Sequence, residues 1–132
     1  MRSKSDNLPK LGQLELSALE HLWKSGEADV GETHLAVGAP RGITLNTVGS
    51  ALERLYRKGL AKRRKLSHAF RYSAAIARDE FMVRRLRDAT SDLETLGSAG
   101  LLSAFIDLVA DADERALDRL ESLVAEKKRQ GQ

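Results

Sequence analysis

Residues 44–72 read TLNTVGSALERLYRKGLAKRRKLSHAFRY, and this stretch constrains the fold more than any other. Thr44 suits an N-cap, because its hydroxyl can accept from a backbone amide of the first helical turn. Val48, Ala51, Leu52 and Leu55 then recur at helical spacing and make one apolar stripe. Gly59 ends the helix, with Arg57 and Lys58 near the negative end of its dipole. Residues 60–66 and 69–73 follow as two strands joined at Ser67-His68. A two-stranded ribbon is marginal by itself. It must rest on the helices or gain a third short strand near Gly42-Ile43.

Upstream, residues 15–25 form a helix whose Leu16, Leu19, Leu22 and Trp23 make one stripe. Gly26 suits the position just past its end. A shorter helix is expected over 30–37, with Asp29 as N-cap, although Gly31 and Gly38 weaken it. Residues 38–42, with Pro40, read as a turn. Residues 1–11 read as a flexible arm. Helix, helix, helix and hairpin in that order describe a winged helix-turn-helix domain over residues 12–76. In that arrangement the exposed face of the third helix offers Asn46, Thr47, Gly49, Ser50, Glu53, Arg54 and Arg57. Short polar groups come first and long basic ones after, the order a helix needs to approach base edges and then hold phosphates.

The charge is segregated to match. The net charge of the 132 residues is only +3. Residues 41–87 nevertheless hold 13 Lys/Arg against 3 Asp/Glu, whereas residues 88–132 hold 5 against 10. A basic middle points to a polyanionic partner, with a solvated basic face as the alternative. In the hairpin, Lys62, Arg63, Arg64, Lys65, His68 and Arg71 are candidate phosphate contacts, of which two or three per subunit are expected to be real. Phe70, Tyr72 and Trp23 are expected to anchor the core.

A longer helix is expected over 78–96. Its Met82, Leu86, Ala89, Leu93 and Leu96 are spaced as a narrow seam, as in a coiled coil. Gly97 breaks it. Residues 98–109 carry Leu101, Leu102, Phe105, Ile106 and Val109, and residues 113–128 carry Leu117, Leu120, Leu123 and Val124. Three narrow apolar stripes with little to pack on favour self-association over an intrachain bundle. The fold class is therefore mainly α with a small β-hairpin: a winged helix followed, over 77–129, by a helical dimerisation region.

Gly12-Gln13-Leu14-Glu15-Leu16 through Leu22-Trp23, Asn46-Thr47-Val48 with Leu52, Arg54-Leu55, Lys58-Gly59-Leu60, and His68-Ala69-Phe70-Arg71-Tyr72 together resemble the penicillinase repressor family of the BlaI, MecI and CopY type. The resemblance covers residues 12–125. It implies a homodimeric transcriptional repressor bound to double-stranded DNA, each winged helix reading half of a pseudo-palindromic operator. Thr47 and Ser50 would face the groove, and Thr44 and Asn46 would meet phosphate at the helix N-terminus. Gly49 stands where a longer side chain is often found, which implies one base contact fewer. Arg54 has an alternative role as ion-pair partner of an acid on the first two helices. The best-known members are inactivated by cleavage between Asn and Phe, in a response started by a membrane sensor–metalloprotease. The matching pair here is Ala104-Phe105, so Asn is replaced, and packing on an apolar helix explains both residues.

The chain has no cysteine, which removes disulfides, thiolate metal sites and the cysteine-based copper sensing of one family branch. His21, His34 and His68 lack metal-ligand spacing. No catalytic pattern and no cofactor motif is present. Without a signal peptide or an apolar run near 20 residues, no membrane insertion is expected, and the cytoplasm is the expected location. The remaining alternative to a repressor is a winged-helix module that binds protein or RNA without operator specificity.

Overall fold

The computed structural model describes residues 9–89 and 97–131. It divides into two compact units, Met1–Asp88 and Ala89–Gln132.

In the first unit, helix α1 (Gln13–Ser25) begins two residues earlier than the apolar stripe suggests and puts Glu15 in its first turn. Helix α2 is a single α-helical turn (Val30–Thr33) closed by a reciprocal capping box. Asp29 Oδ1 accepts from the Glu32 amide at 2.8 Å, and Glu32 Oε1 accepts from the Asp29 amide at 2.9 Å. The expected longer helix instead widens into a π-type turn (His34–Gly38) and a 3-10 turn (Ala39–Arg41). The widened turn brings the Gly38 backbone against α3: a Cβ there would stand 2.7 Å from Val48 Cγ2. His34 Nε2 donates to the Ile43 carbonyl at 2.8 Å and fixes the turn to the next loop.

Helix α3 (Leu45–Arg57) starts at Thr44, whose Oγ1 accepts from the Thr47 amide at 3.2 Å. Val48, Ala51, Leu52 and Leu55 are fully buried, and Val48, Leu52 and Leu55 share a core cluster with Ala18, Leu19 and Leu22 of α1. Gly59 has φ +78, a left-handed conformation that glycine adopts without the backbone strain most residues with a Cβ incur. It turns the chain into strand β1 (Ala61–Leu66), paired antiparallel with β2 (Ala69–Ala74). Ser67 has φ +60 at the first position of the two-residue turn, as a type II′ hairpin turn requires.

The third edge of this ribbon is not at Gly42-Ile43. It is Ala28, whose amide and carbonyl pair with those of Tyr72 at 2.9 and 2.8 Å. Tyr72 is buried as expected, but Phe70 is 39% exposed, because its ring packs on the Arg63 side chain rather than in the apolar cluster.

Helix α4 (Arg78–Ala89) is anchored at its first turn. Phe81 is buried and meets Trp23 edge-on at 5.3 Å, while Trp23 Nε1 donates to the Ile76 carbonyl at 2.9 Å. Met82 and Leu86 lie on its exposed side. Leu93 and Leu96, expected to continue this seam, fall outside the described residues.

In the second unit, α5 (Ala99–Ala112) is capped by Ser98 and α6 (Glu114–Gln130) by Asp113. The two helices pack on one another, yet neither has a buried residue. No described helix is long and apolar enough to cross a membrane.

Candidate nucleic-acid interface

Burying Val48, Ala51, Leu52 and Leu55 turns the opposite side of α3 outward. Thr44, Asn46, Thr47, Ser50, Arg54 and Arg57 are all exposed on that side. Asn46, Ser50, Arg54 and Arg57 border a shallow groove of about 600 Å³ that includes Val30 of α2. The Thr44 and Thr47 hydroxyls are 2.8 Å apart, so the cap also orients Thr47. Gly49 faces α2: a Cβ at this position would stand 3.4 Å from Val30 Cγ1. Its missing side chain therefore serves the close approach of α2 and α3.

Arg54 does make the structural ion pair foreseen as its alternative role. Its Nε donates to Glu15 Oε1 at 3.2 Å. Lys58 donates to the other oxygen of Glu15 and to the Lys10 carbonyl. Burial pushes the Glu15 carboxyl up, but the hydrogen bonds and charges of Lys58 and Arg54 outweigh it and hold the pKa below the usual range.

The wing arginines are also engaged. Arg64 and Arg71 are cross-strand partners, and both bind Glu27. Arg64 contacts it with two nitrogens at 2.8 Å, and Arg71 Nε donates to it at 2.8 Å. These hydrogen bonds hold the Glu27 carboxyl at about 2. Arg71 also reaches Glu32 at 2.9 Å and Asp29 at 3.8 Å. Arg63 pairs with Glu53 and lies between the rings of Tyr56 and Phe70, at 3.9 and 4.2 Å. Lys62 and Lys65 are different. Both are exposed, and neither has a side-chain partner among the described residues. His68 is exposed at the hairpin tip. The geometry thus separates cations that hold the wing together from cations that face solvent alone.

A family model described as penicillinase repressor matches residues 11–126. A transcriptional regulator BlaI of Mycobacterium tuberculosis is 36% identical over 121 residues, covering 87% of this chain and 88% of that protein. The chain belongs to the penicillinase repressor family. Among solved structures, the winged helix-turn-helix DNA-binding domain of a possible ArsR-family regulator from Mycobacterium bovis, described as homodimeric, is 25% identical. It covers 61% of this chain and 69% of that one, with a TM-score of 0.45. YusO of Bacillus subtilis is 16% identical, covers 90% and 75%, and has a TM-score of 0.46.

The family match spans both units. In the second, Leu102, Phe105 and Ile106 of α5 and Leu117, Leu120 and Val124 of α6 line an open apolar groove of about 580 Å³. Leu101 and Val109 are half-buried. Ala104 and Phe105 are both exposed in the middle of α5.

Sequence reasoning did not find Glu27, Glu15 or the Ala28 bridge. The available signal was the acidic excess of residues 1–40, which hold six Asp/Glu against four Lys/Arg. The structure commits four of those acids, Glu15, Glu27, Asp29 and Glu32, to cations at the end of α3 and in the wing.

Proposed function

We propose that the chain is a sequence-specific DNA-binding transcriptional repressor that acts as a homodimer on a pseudo-palindromic operator. One observation carries this reading. The exposed N-terminal half of α3 presents short polar groups; beyond them lie Arg57, exposed but paired to Glu53, and the solvent-facing wing cations Lys62 and Lys65. An interaction scaffold for protein or RNA has no need of that pairing, whereas a helix entering the major groove does. Thr47 and Ser50 would read base edges. Thr44, Asn46 and the two wing lysines would contact phosphate, as would His68, with Arg54, Arg63, Arg64 and Arg71 mainly placing the helix and wing.

Self-association is supported by the second unit. Two helices with an apolar groove and no buried residue need a partner to cover that groove. A second copy would cover it and supply the second half-site reader. The seam read from the sequence at Met82, Leu86, Leu93 and Leu96 is a second candidate surface for the same self-association. The dimer would act by occupying the operator and blocking polymerase, in the cytoplasm where the chromosome lies. Cleavage by a sensor–metalloprotease at Ala104-Phe105 would require local unfolding of α5. It would also have to proceed without the Asn of the best-known members.

The test is a titration of the protein against its own upstream promoter DNA and random duplex at about 150 mM salt. A specific binder prefers its site by about 10³-fold or more. Equal affinity for both duplexes overturns the reading.

A further inference from the structure

Leu45 is the first residue of α3, directly after the Thr44 cap, and it is 48% exposed. No core contact explains a leucine there. It borders the same groove as Asn46 and Ser50, beside Val30 and the side-chain-free Gly49. Because Gly49 carries no Cβ and Val30 packs over it, the polar face of the helix has a small apolar notch with Leu45 as its outer wall. The rest of the groove is lined by charged groups rather than apolar ones: Arg54 and Arg57, with Glu53 paired to Arg57, follow along the same helix. A small apolar notch beside polar groups and arginines does not suit a protein partner, whose contact would extend over a broader apolar patch. It suits a polyanion that carries isolated methyl groups.

In the major groove, thymine alone among the bases shows an apolar group, its 5-methyl, and this is read by contact with an apolar side chain. We propose that Leu45, with Val30 and Gly49, forms a thymine-methyl contact and makes Leu45 a specificity-determining residue. The inference rests on the repressor reading and gives it one base: each half-site contains a thymine opposite the N-terminal turn of α3. Asn46 and Ser50 on either side hold the backbone and the neighbouring base edge, so the methyl is met at a defined position.

The test starts from duplexes that the full chain enriches from a random-sequence pool. Each thymine of the enriched half-site is replaced in turn by uracil, which removes the methyl and leaves the hydrogen-bonding edge intact. Burying one methyl is worth about fourfold in affinity. Uracil at one position should therefore weaken binding about fourfold per half-site, or about sixteenfold when both half-sites are changed. In Leu45→Ala, which stays folded because the residue is exposed, the same substitution should have little effect. An enriched site that is indifferent to every uracil, or a uracil penalty that persists unchanged in Leu45→Ala, overturns this inference and leaves the repressor reading intact. Failure to enrich any site overturns both.

Discussion

Arg64 and Arg71 stand directly opposite one another across the hairpin, and Glu27 binds both. Like charges at paired positions repel, so the wing depends on an acid from outside the ribbon. The Ala28–Tyr72 bridge puts Glu27 in place by docking the α1–α2 loop along β2. The wing's orientation relative to α3 thus depends on a loop distant in sequence. Glu27→Gln should lower the thermal stability of the winged unit and loosen the hairpin. The pH dependence has a definite sign. The Glu27 carboxyl is held at about 2, against an ordinary value of 4.5. A depressed carboxyl contributes stability that is complete above its unfolded value and fades as pH falls toward the folded one. Melting curves of wild type and Glu27→Gln should therefore differ most above pH 4.5 and converge near pH 2. A constant difference across that range would mean that the clamp contributes nothing through its charge.

The wing cations should differ in their effect on DNA. Lys62 and Lys65 have no partner to leave among the described residues, so phosphate binding costs them no ion pair. Arg64 must give up or share Glu27. Lys62→Ala and Lys65→Ala should each weaken binding to specific and random duplex alike. Each phosphate that the wing no longer neutralises should reduce the slope of log affinity against log salt by about 0.9. Arg64→Ala should change the slope less and the melting temperature more. Titrations at several salt concentrations decide this, and equal slopes for all three variants would place Arg64 on phosphate with the lysines.

Glu15 ties α1 to both ends of the basic stretch that closes α3. Its side chain is 8% exposed, while Lys58 and Arg54 are 27% and 49% exposed. Glu15→Ala leaves two cations that can still turn to water, so it should cost less than breaking a fully buried pair. About 1–3 kcal/mol is expected. Because the Glu15 carboxyl is held below its usual value, its contribution is lost as the solution is acidified through the carboxylate range. Urea unfolding at fixed protein concentration, at neutral pH and in acid below the carboxylate range, should show the variant's deficit shrinking as pH falls. The freed Arg54 should at the same time raise non-specific DNA affinity.

What was readable in the sequence was local. The Thr44 and Asp29 caps, the Gly26 and Gly59 ends and the buried stripe of α3 each depend on residues close to one another along the chain. The Ala28 bridge instead joins residues with the whole stretch from α2 to β1 between them, and no periodicity marks a one-residue strand. Phe70 shows the same limit from the other side. Two residues from Tyr72 on the same strand, it shares that residue's face, but only tertiary packing decides that the core ends before reaching it. With α3 considered alone, Gly49 is a gap in base reading. With α2 in place it is the point where the two helices touch, and the notch beside Leu45 follows from that approach.

The second unit carries the remaining prediction. Phe105 and Ile106 are about half exposed, and with Leu102 they line a groove that α6 leaves open. A carboxylate placed in an apolar interface must be desolvated without a partner, a cost large enough to split a dimer. In the isolated chain the same position meets water, so the helix itself should survive. Phe105→Asp should therefore shift the protein to monomer in sedimentation equilibrium while circular dichroism keeps the helical signal. Operator affinity should fall with it, since a monomer reads one half-site and loses the linkage between two. Binding to random duplex, which draws mainly on each winged unit's own cations, should fall far less. A variant that sediments as wild type would move the interface away from this groove, toward the exposed side of α4 at Met82 and Val83.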